Sequence, residues 1–125
     1  MRILVINPGS TSTKVAVYED ERPVLLRNIR HTADELQQYA TSFDQLPLRQ
    51  NKIVQTLEEE EIPFDFDAIV GRGGLTHPIP AGVYRVNAQM LHDTRTAIRQ
   101  HVCNLGCHIA AALASKIDHC EALIA

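Results

Sequence analysis

The 125-residue sequence contains no tryptophan, and aromatic residues make up only 5% of it. No apolar run approaches the roughly 20 residues that a membrane-spanning helix requires, so we expect no membrane partner. Lysine and arginine number 12 against 15 aspartates and glutamates, which gives a formal net charge of −3. The basic residues are scattered and form no stripe. These properties disfavour a nucleic-acid partner.

Cysteine is also scarce, with three residues in the chain. An odd number fits a reducing compartment better than a disulfide scaffold, and no signal peptide is visible before the first strand, so we expect a cytoplasmic protein. Cys103 and Cys107 are expected to share a helix face near His101 and His108. Metal ligation by this group is the alternative, but no second set with ligand spacing is present. We therefore favour buried thiols and predict no metal ligand.

The segment from Ile3 to Glu19 is the most informative part of the chain. Two apolar strands flank a loop in which Pro8 and Gly9 force a tight turn and four hydroxyl residues follow, closed by Lys14. Such a loop offers N–H groups, hydroxyl donors and a cation to a tetrahedral anion, which predicts phosphate binding. An ordinary polar hairpin is the alternative. A Walker-type loop fits poorly, because Thr13 precedes the lysine and a strand follows it.

The order of predicted elements indicates an α/β fold. We expect strands at about 2–7, 13–19, 23–30, 68–70 and 83–86, and a last strand from residue 121. Helices are expected from Thr32 through Tyr39, from Ser42 or Pro47 to the acidic run at 58–61, from Asn87 to about Ile98, and from Asn104 to Ile117. Thr32, Asn87 and Asn104 are the predicted N-caps. The strand at Leu123–Ile124 is expected to form an exposed sheet edge.

A second glycine-rich loop, Gly71 to Gly74, follows the predicted strand at 68–70 and carries Arg72. A guanidinium held there is a fixed fork for carboxylate or phosphate, and open α/β sheets bind ligands beyond strand carboxyl ends. A structural turn with Arg72 at the surface is the alternative. The stiff loop from Thr76 to Gly82 comes next, with two prolines that limit its mobility.

Three segments resemble the acetate/butyrate kinase family of the actin, Hsp70 and sugar-kinase superfamily. They are NPGSTSTK at residues 7–14, AIVGRGGLTHPIPAGVYRVN at 68–87 and HVCNLGCHIAAALA at 101–114. Arg72 stands where the acetate branch has a histidine, so the second segment resembles the butyrate kinase branch. Residues 20–66 match only weakly.

The resemblance implies an RNase H-like, actin-type half-domain with a mixed sheet, an antiparallel meander and flanking helices. It implies a kinase that uses ATP and Mg²⁺ to phosphorylate a short-chain carboxylate such as butanoate. The candidate residues are Arg72 and Asn7 for catalysis; Gly9, Ser10, Thr11, Ser12 and Lys14 for phosphate; and Gly73, Gly74, His77, Pro78, His101 and Asn104 for the carboxylate substrate.

Family members have two such domains, and the second holds most of the nucleotide. The resemblance therefore implies that residues 1–125 are an N-terminal domain, apparently truncated, with the nucleotide-binding domain absent and little activity of its own. A homo-oligomer is possible. The open alternatives are an acetate, propionate or branched-chain acid kinase, and a non-catalytic actin-type module that binds phosphate or a partner protein.

Overall fold

The computed structural model describes residues 1–73, 82–97 and 101–125. The predictions for Gly74, His77 and Pro78 lie outside these ranges. The helices are α1 (Ala33–Gln37), α2 (Leu46–Glu59), α3 (Ala88–Thr96) and α4 (Leu105–Ala114). The strands are β1 (Arg2–Pro8), β2 (Ser12–Glu19), β3 (Arg22–Arg30), β4 (Ala68–Gly71), β5 (Tyr84–Arg85) and β6 (Glu121–Ile124).

The described strands form one mixed sheet in the order β3-β2-β1-β4-β6-β5. Strands β1, β2 and β3 make the predicted antiparallel meander, and β4 and β6 run parallel to β1. The α/β prediction is confirmed, and the mixed six-stranded sheet fits the actin-like type. No helix in the described ranges has the length and apolar character needed to cross a membrane.

Alternation along β1 and β2 divides the sheet into two faces, because successive side chains of a strand point in opposite directions. Leu4, Ile6, Val15 and Val17 are buried in the main core. Helices α2 and α4 pack against this face, and they contribute apolar side chains at helical spacing to the same cluster, namely Ile53, Leu57, Leu105, Ile109 and Leu113. The opposite face carries the residues between them, including Val5, Asn7, Lys14 and Ala16.

The helix starts are confirmed in two of three cases. The Thr32 hydroxyl accepts from the Glu35 N–H, and the Asn87 side chain accepts from the Met90 N–H. Asn104 occupies the position before α4, but its side chain does not cap the helix. A 3-10 turn at Val102–Asn104 precedes α4, and there His101 is the capping side chain. Helix α1 ends at Gln37, before Tyr39.

Two further expectations are wrong. Cys103 lies in the 3-10 turn whereas Cys107 lies in α4, so the two thiols do not share a helix face. Strand β6 is not a sheet edge. It lies between β4 and β5, with Ile124 opposite both Gly71 and Tyr84.

Candidate functional site

The candidate site lies where the parallel strands β1 and β4 end. Ile6 is opposite Gly71 in the register of these strands, so Asn7 and Arg72 come next at the same edge of the sheet. The Arg72 N–H donates to the Ile6 carbonyl at 2.7 Å, which continues the pairing of the two strands beyond Gly71. The two residues predicted for catalysis are therefore brought together by strand register.

An open cleft of about 400 Å³ occupies this region. It is lined by three of the predicted residues, Asn7, Lys14 and Arg72. The remaining lining residues are Val5, Val15, Ala16, Leu26, Arg27 and Asn28. A cleft that collects an amide, an ammonium and a guanidinium from separate segments is a candidate binding site with convergent polar groups.

Strand register explains how the cleft is arranged. Lys14 lies opposite Asn7 on one side and opposite Asn28 on the other, so three polar side chains form a row across β1, β2 and β3. The neighbouring row on the same face is apolar: Val5, Ala16 and Leu26. The cleft thus has a polar row nearest the strand ends and an apolar row beside it. Asn28 was not predicted from the sequence.

The charges in the cleft lining favour an anion. Lys14, Arg27 and Arg72 are cationic, and none of the residues that line the cleft is acidic. Arg27 forms an ion pair with Glu60, which follows α2 on the helix-covered side of the sheet. Lys14 in the polar row and Arg72 in the adjoining loop are both exposed.

The loop between β1 and β2 adjoins this row. The Gly9 N–H donates to the Ser12 carbonyl at 2.7 Å, which closes a compact turn, and Ser10 and Thr11 are exposed at its tip. Gly9, Ser10, Thr11 and Ser12 do not line the cleft. The predicted tight turn is therefore formed next to the cleft, between Asn7 and Lys14, and phosphate binding by it stays a prediction.

A buried network behind the loop was missed from the sequence. Arg49 in α2 is fully buried, and its guanidinium donates to the carbonyls of Ser10 and Ser12 and to the Thr13 hydroxyl. Arg49, Ile53 and Leu57 are spaced four residues apart on one face of α2. An arginine on an otherwise apolar face of a helix was the sequence signal from which a buried polar network could have been predicted.

His31 completes this network. Its Nε2 lies 2.8 Å from the Thr13 Oγ1, and its main-chain N–H donates to the Thr11 carbonyl at 2.8 Å. Burial is the main cause that lowers the pKa of His31, and the positive charge of Arg49 lowers it further. A neutral His31 is therefore expected beside Arg49 at neutral pH.

Three glycines hold Arg72 against the start of α4. A Cβ atom at Gly71 would lie 2.1 Å from the Gly106 carbonyl oxygen, and one at Gly73 would lie 2.0 Å from that of Cys103. A Cβ atom at Gly106 would lie 2.5 Å from the Arg72 carbonyl oxygen. These contacts permit no side chain, so glycine at each position lets the two backbones touch.

His101 and Asn104 flank the turn that Gly73 contacts. His101 is exposed, and its Nδ1 accepts from the Cys103 N–H at 3.1 Å. Asn104 is buried. Neither residue lines the cleft. Their role in substrate binding stays a prediction.

The thiols near this turn form no metal site in the described ranges, where no group of three potential ligands comes together. Cys107 is buried, and burial raises the pKa of its thiol. The Thr94 hydroxyl lies 3.5 Å from its sulfur and 2.9 Å from the Nε2 of His108. These contacts join α3 to α4.

The chain is related over its whole length to butyrate kinases. It is 58% identical over all 125 residues to a probable butyrate kinase of Bacteroides thetaiotaomicron and 48% identical over the same length to one of Phocaeicola vulgatus. It is 45% identical to butyrate kinase 1 of Clostridium acetobutylicum over 119 residues, which are 94% of the chain.

The matched region is a minor part of each relative. The chain spans 35% of the length of the first two proteins and 34% of that of the third. No protein-family model matches the sequence. Identity of 45–58% over nearly every residue nevertheless supports the resemblance drawn from the three sequence segments.

Proposed function

We propose that this chain, which is related over its whole length to butyrate kinases, is the N-terminal part of a butyrate kinase. The whole protein would transfer the γ-phosphoryl group of ATP to a short-chain carboxylate, with butanoate as the expected substrate, and release an acyl phosphate. A second domain, not included in residues 1–125, would hold most of the nucleotide. That the chain spans 35% of the length of the Bacteroides thetaiotaomicron relative supports this division.

The observation that carries the proposal is the cleft that unites Asn7, Lys14 and Arg72. These residues come from β1, β2 and the loop after β4, and all three were selected from the sequence for anion chemistry. Both substrates are anions, so the reaction needs cations and hydrogen-bond donors at the point where they meet. The cleft lining supplies both kinds of group and no carboxylate that would repel them.

Each side chain has a distinct part in this chemistry. The Arg72 guanidinium offers paired N–H donors to a carboxylate or to the oxygens of the phosphoryl group in transfer. Lys14 supplies a compact positive charge, and the Asn7 amide donates a hydrogen bond. The carboxylate substrate is itself the nucleophile, so the reaction requires no general base. Positioning and charge neutralisation are what this part of the protein contributes.

The two cofactors fit the described residues differently. The cationic cleft and the loop at Gly9–Ser12 suit the phosphates of ATP. Mg²⁺ prefers carboxylate, carbonyl and water oxygens in octahedral geometry. The cleft lining contains no carboxylate. The cleft lining therefore does not fit a Mg²⁺ site.

Acyl-phosphate formation tests the proposal. The longer protein that contains this chain is incubated with ATP, Mg²⁺ and acids of two to five carbons, and the product is trapped as hydroxamate. We expect activity that peaks near butanoate and falls gradually with chain length, since one methylene discriminates by only about 1–3 kcal/mol. A peak at acetate would identify a different acyl kinase, and no product with any acid would contradict the proposal.

A further inference from the structure

Arg49 is the one fully buried charged side chain of the described core. Its guanidinium donates at 3.0 Å to the Ser12 carbonyl, at 3.3 Å to the Ser10 carbonyl and at 3.1 Å to the Thr13 hydroxyl. The Gln45 amide oxygen, one turn earlier in the chain, accepts at 2.9 Å. A single side chain of α2 is thus bonded to Ser10 in the loop between β1 and β2 and to Ser12 and Thr13, the first two residues of β2.

The charge of Arg49 has no carboxylate partner among the residues described. All four acceptors are neutral, and none of the ion pairs found there includes Arg49. Burial lowers the pKa of its guanidinium. A buried charge without a counter-ion is costly, and an apolar side chain is often equally good for stability. Loop geometry therefore accounts for an arginine here better than stability does.

The contacts of Arg49 fix the direction of the loop peptides. A trans peptide places its N–H opposite its C=O, and the described chain contains no cis peptide bond. Because the Ser10 carbonyl points inward to Arg49, the Thr11 N–H points away from the core. Thr11 is exposed, and in the described ranges its N–H donates to no protein group.

We infer that Arg49 is the positioning residue of the Gly9–Ser12 loop. It holds the Ser10 and Ser12 carbonyls inward, and the Thr11 N–H and the hydroxyls at the loop tip face outward to bind a phosphoryl oxygen. The identity of the ligand rests on the proposed function, whereas the geometry of the loop does not. Arg49 itself touches no ligand in this account.

Inorganic pyrophosphate is the probe for a direct test on the 125-residue chain. In a titration followed by amide NMR, the Ser10 and Thr11 signals should shift and saturate. Arg49→Met should weaken this binding about tenfold or more, because small displacements of donors are expensive. Arg49→Lys should not restore it, since an ammonium lacks the planar fork that reaches both carbonyls.

Ile53→Val is the matched control. Ile53 is fully buried one turn further along the same face of α2, and its side chain cannot form a hydrogen bond to the loop. It should reduce the free energy of unfolding by about 0.5–1.5 kcal/mol and leave pyrophosphate binding unchanged. A general loss of stability would affect both variants, whereas loss of loop geometry affects only the arginine variants. Thr13→Val, which removes one contact of Arg49 and the contact of Thr13 with His31, should give a smaller loss of binding and replaces Arg49→Met if that variant does not fold.

The outcomes separate this inference from the proposed function. Unshifted Thr11 signals in the wild-type chain, or unchanged binding in folded Arg49→Met, would overturn the inference. Pyrophosphate binding that depends on Arg49, together with no acyl-phosphate formation by the longer protein, would contradict the proposed function alone. Acyl-phosphate formation with an Arg49→Met kcat/KM equal to that of the wild type would contradict the inference alone.

Discussion

At the scale of single residues, the side chains that line the cleft differ in how readily they can be predicted from the sequence. Lys14 and Arg72 are recognisable from the sequence as candidate ligands of an anion, because Lys14 follows a run of hydroxyl residues and Arg72 is flanked by glycines. Asn28 lies in β3, where no local sequence motif marks it, and its pairing with Lys14 brings it into the cleft. The polar row is therefore a property of strand register as well as of residue type.

Asn28 provides a residue-scale prediction. We expect Asn28→Ala to lower kcat/KM of the longer protein for butanoate about 10-fold or more, because a hydrogen bond to a charged group contributes about 1.5–3 kcal/mol. Asn51→Ala is the control, since Asn51 is exposed on α2 away from the cleft lining. Equal kinetics for the two variants in the hydroxamate assay would show that Asn28 does not contact a substrate.

His31 and His108 give the free energy of unfolding a dependence on pH. Burial lowers both pKa values, with smaller contributions in the same direction from Arg49 and Arg95 respectively. As the pH falls below about 6.5, the unfolded chain binds protons before the folded chain does. The contribution of the two neutral histidines to the free energy of unfolding is thus complete above that pH. It is lost as the pH falls towards their pKa values in the folded chain.

Urea unfolding at pH 7.5 and pH 5.5 measures this effect. The wild-type chain should be less stable at the lower pH, and the double variant His31→Asn/His108→Asn should lose a smaller part of its stability between the two values. His92→Asn, at an exposed position of α3, should behave as the wild type does. An undiminished loss in the double variant would assign the pH dependence to other groups.

At the scale of secondary-structure elements, the antiparallel meander and most helix positions were predictable. The continuous apolar run in β1, the β-branched residues of β2 and the caps at Thr32 and Asn87 are local signals, and the structure confirms these strands and caps. The position of β6 between β4 and β5 was not predictable, because it depends on pairing between distant segments. The 3-10 turn before α4 was missed since His101, and not Asn104, supplies the cap.

The geometry of the candidate site was predictable in part. The loop residues and Arg72 follow from local composition and from the resemblance to acetate and butyrate kinases. Arg49 and His31 lie behind the loop, and their contacts with residues 10–13 join positions between 18 and 39 apart. Local sequence patterns do not predict such long-range contacts. The one local signal is the charge of Arg49 on the otherwise apolar face of α2.

The contact between α4 and the Arg72 loop gives a prediction at this scale. Gly106→Ala should lower the free energy of unfolding by about 1–3 kcal/mol, because the added methyl group would overlap the Arg72 carbonyl. Gly82→Ala is a matched control: its Cβ would approach the Tyr84 ring no closer than 3.6 Å. Urea denaturation of both variants checks this, and equal stabilities would show that the two backbones can separate without cost.

At the scale of the whole molecule, one face of the sheet is covered by α2 and α4, and the other carries the cleft. The division places Asn7, Lys14 and Asn28 on the cleft face, while Arg49 contacts residues 10–13 from the helix side. The chain is related to butyrate kinases and spans 35% of the first of them. The proposed reaction accordingly requires the remainder of such a protein to bring ATP to this face.

The most direct test of the account is acyl-phosphate formation from butanoate by the longer protein with Lys14→Met, Arg72→Met or Arg85→Met. Removing one donor that stabilises developing charge typically costs about 10²–10³-fold in kcat. We predict losses of that size for Lys14→Met and Arg72→Met. Arg85→Met should stay within twofold or so of the wild type, because its exposed ion pair with Glu121 contributes little. Wild-type rates in the Lys14 and Arg72 variants would contradict the assignment of the reaction to this cleft.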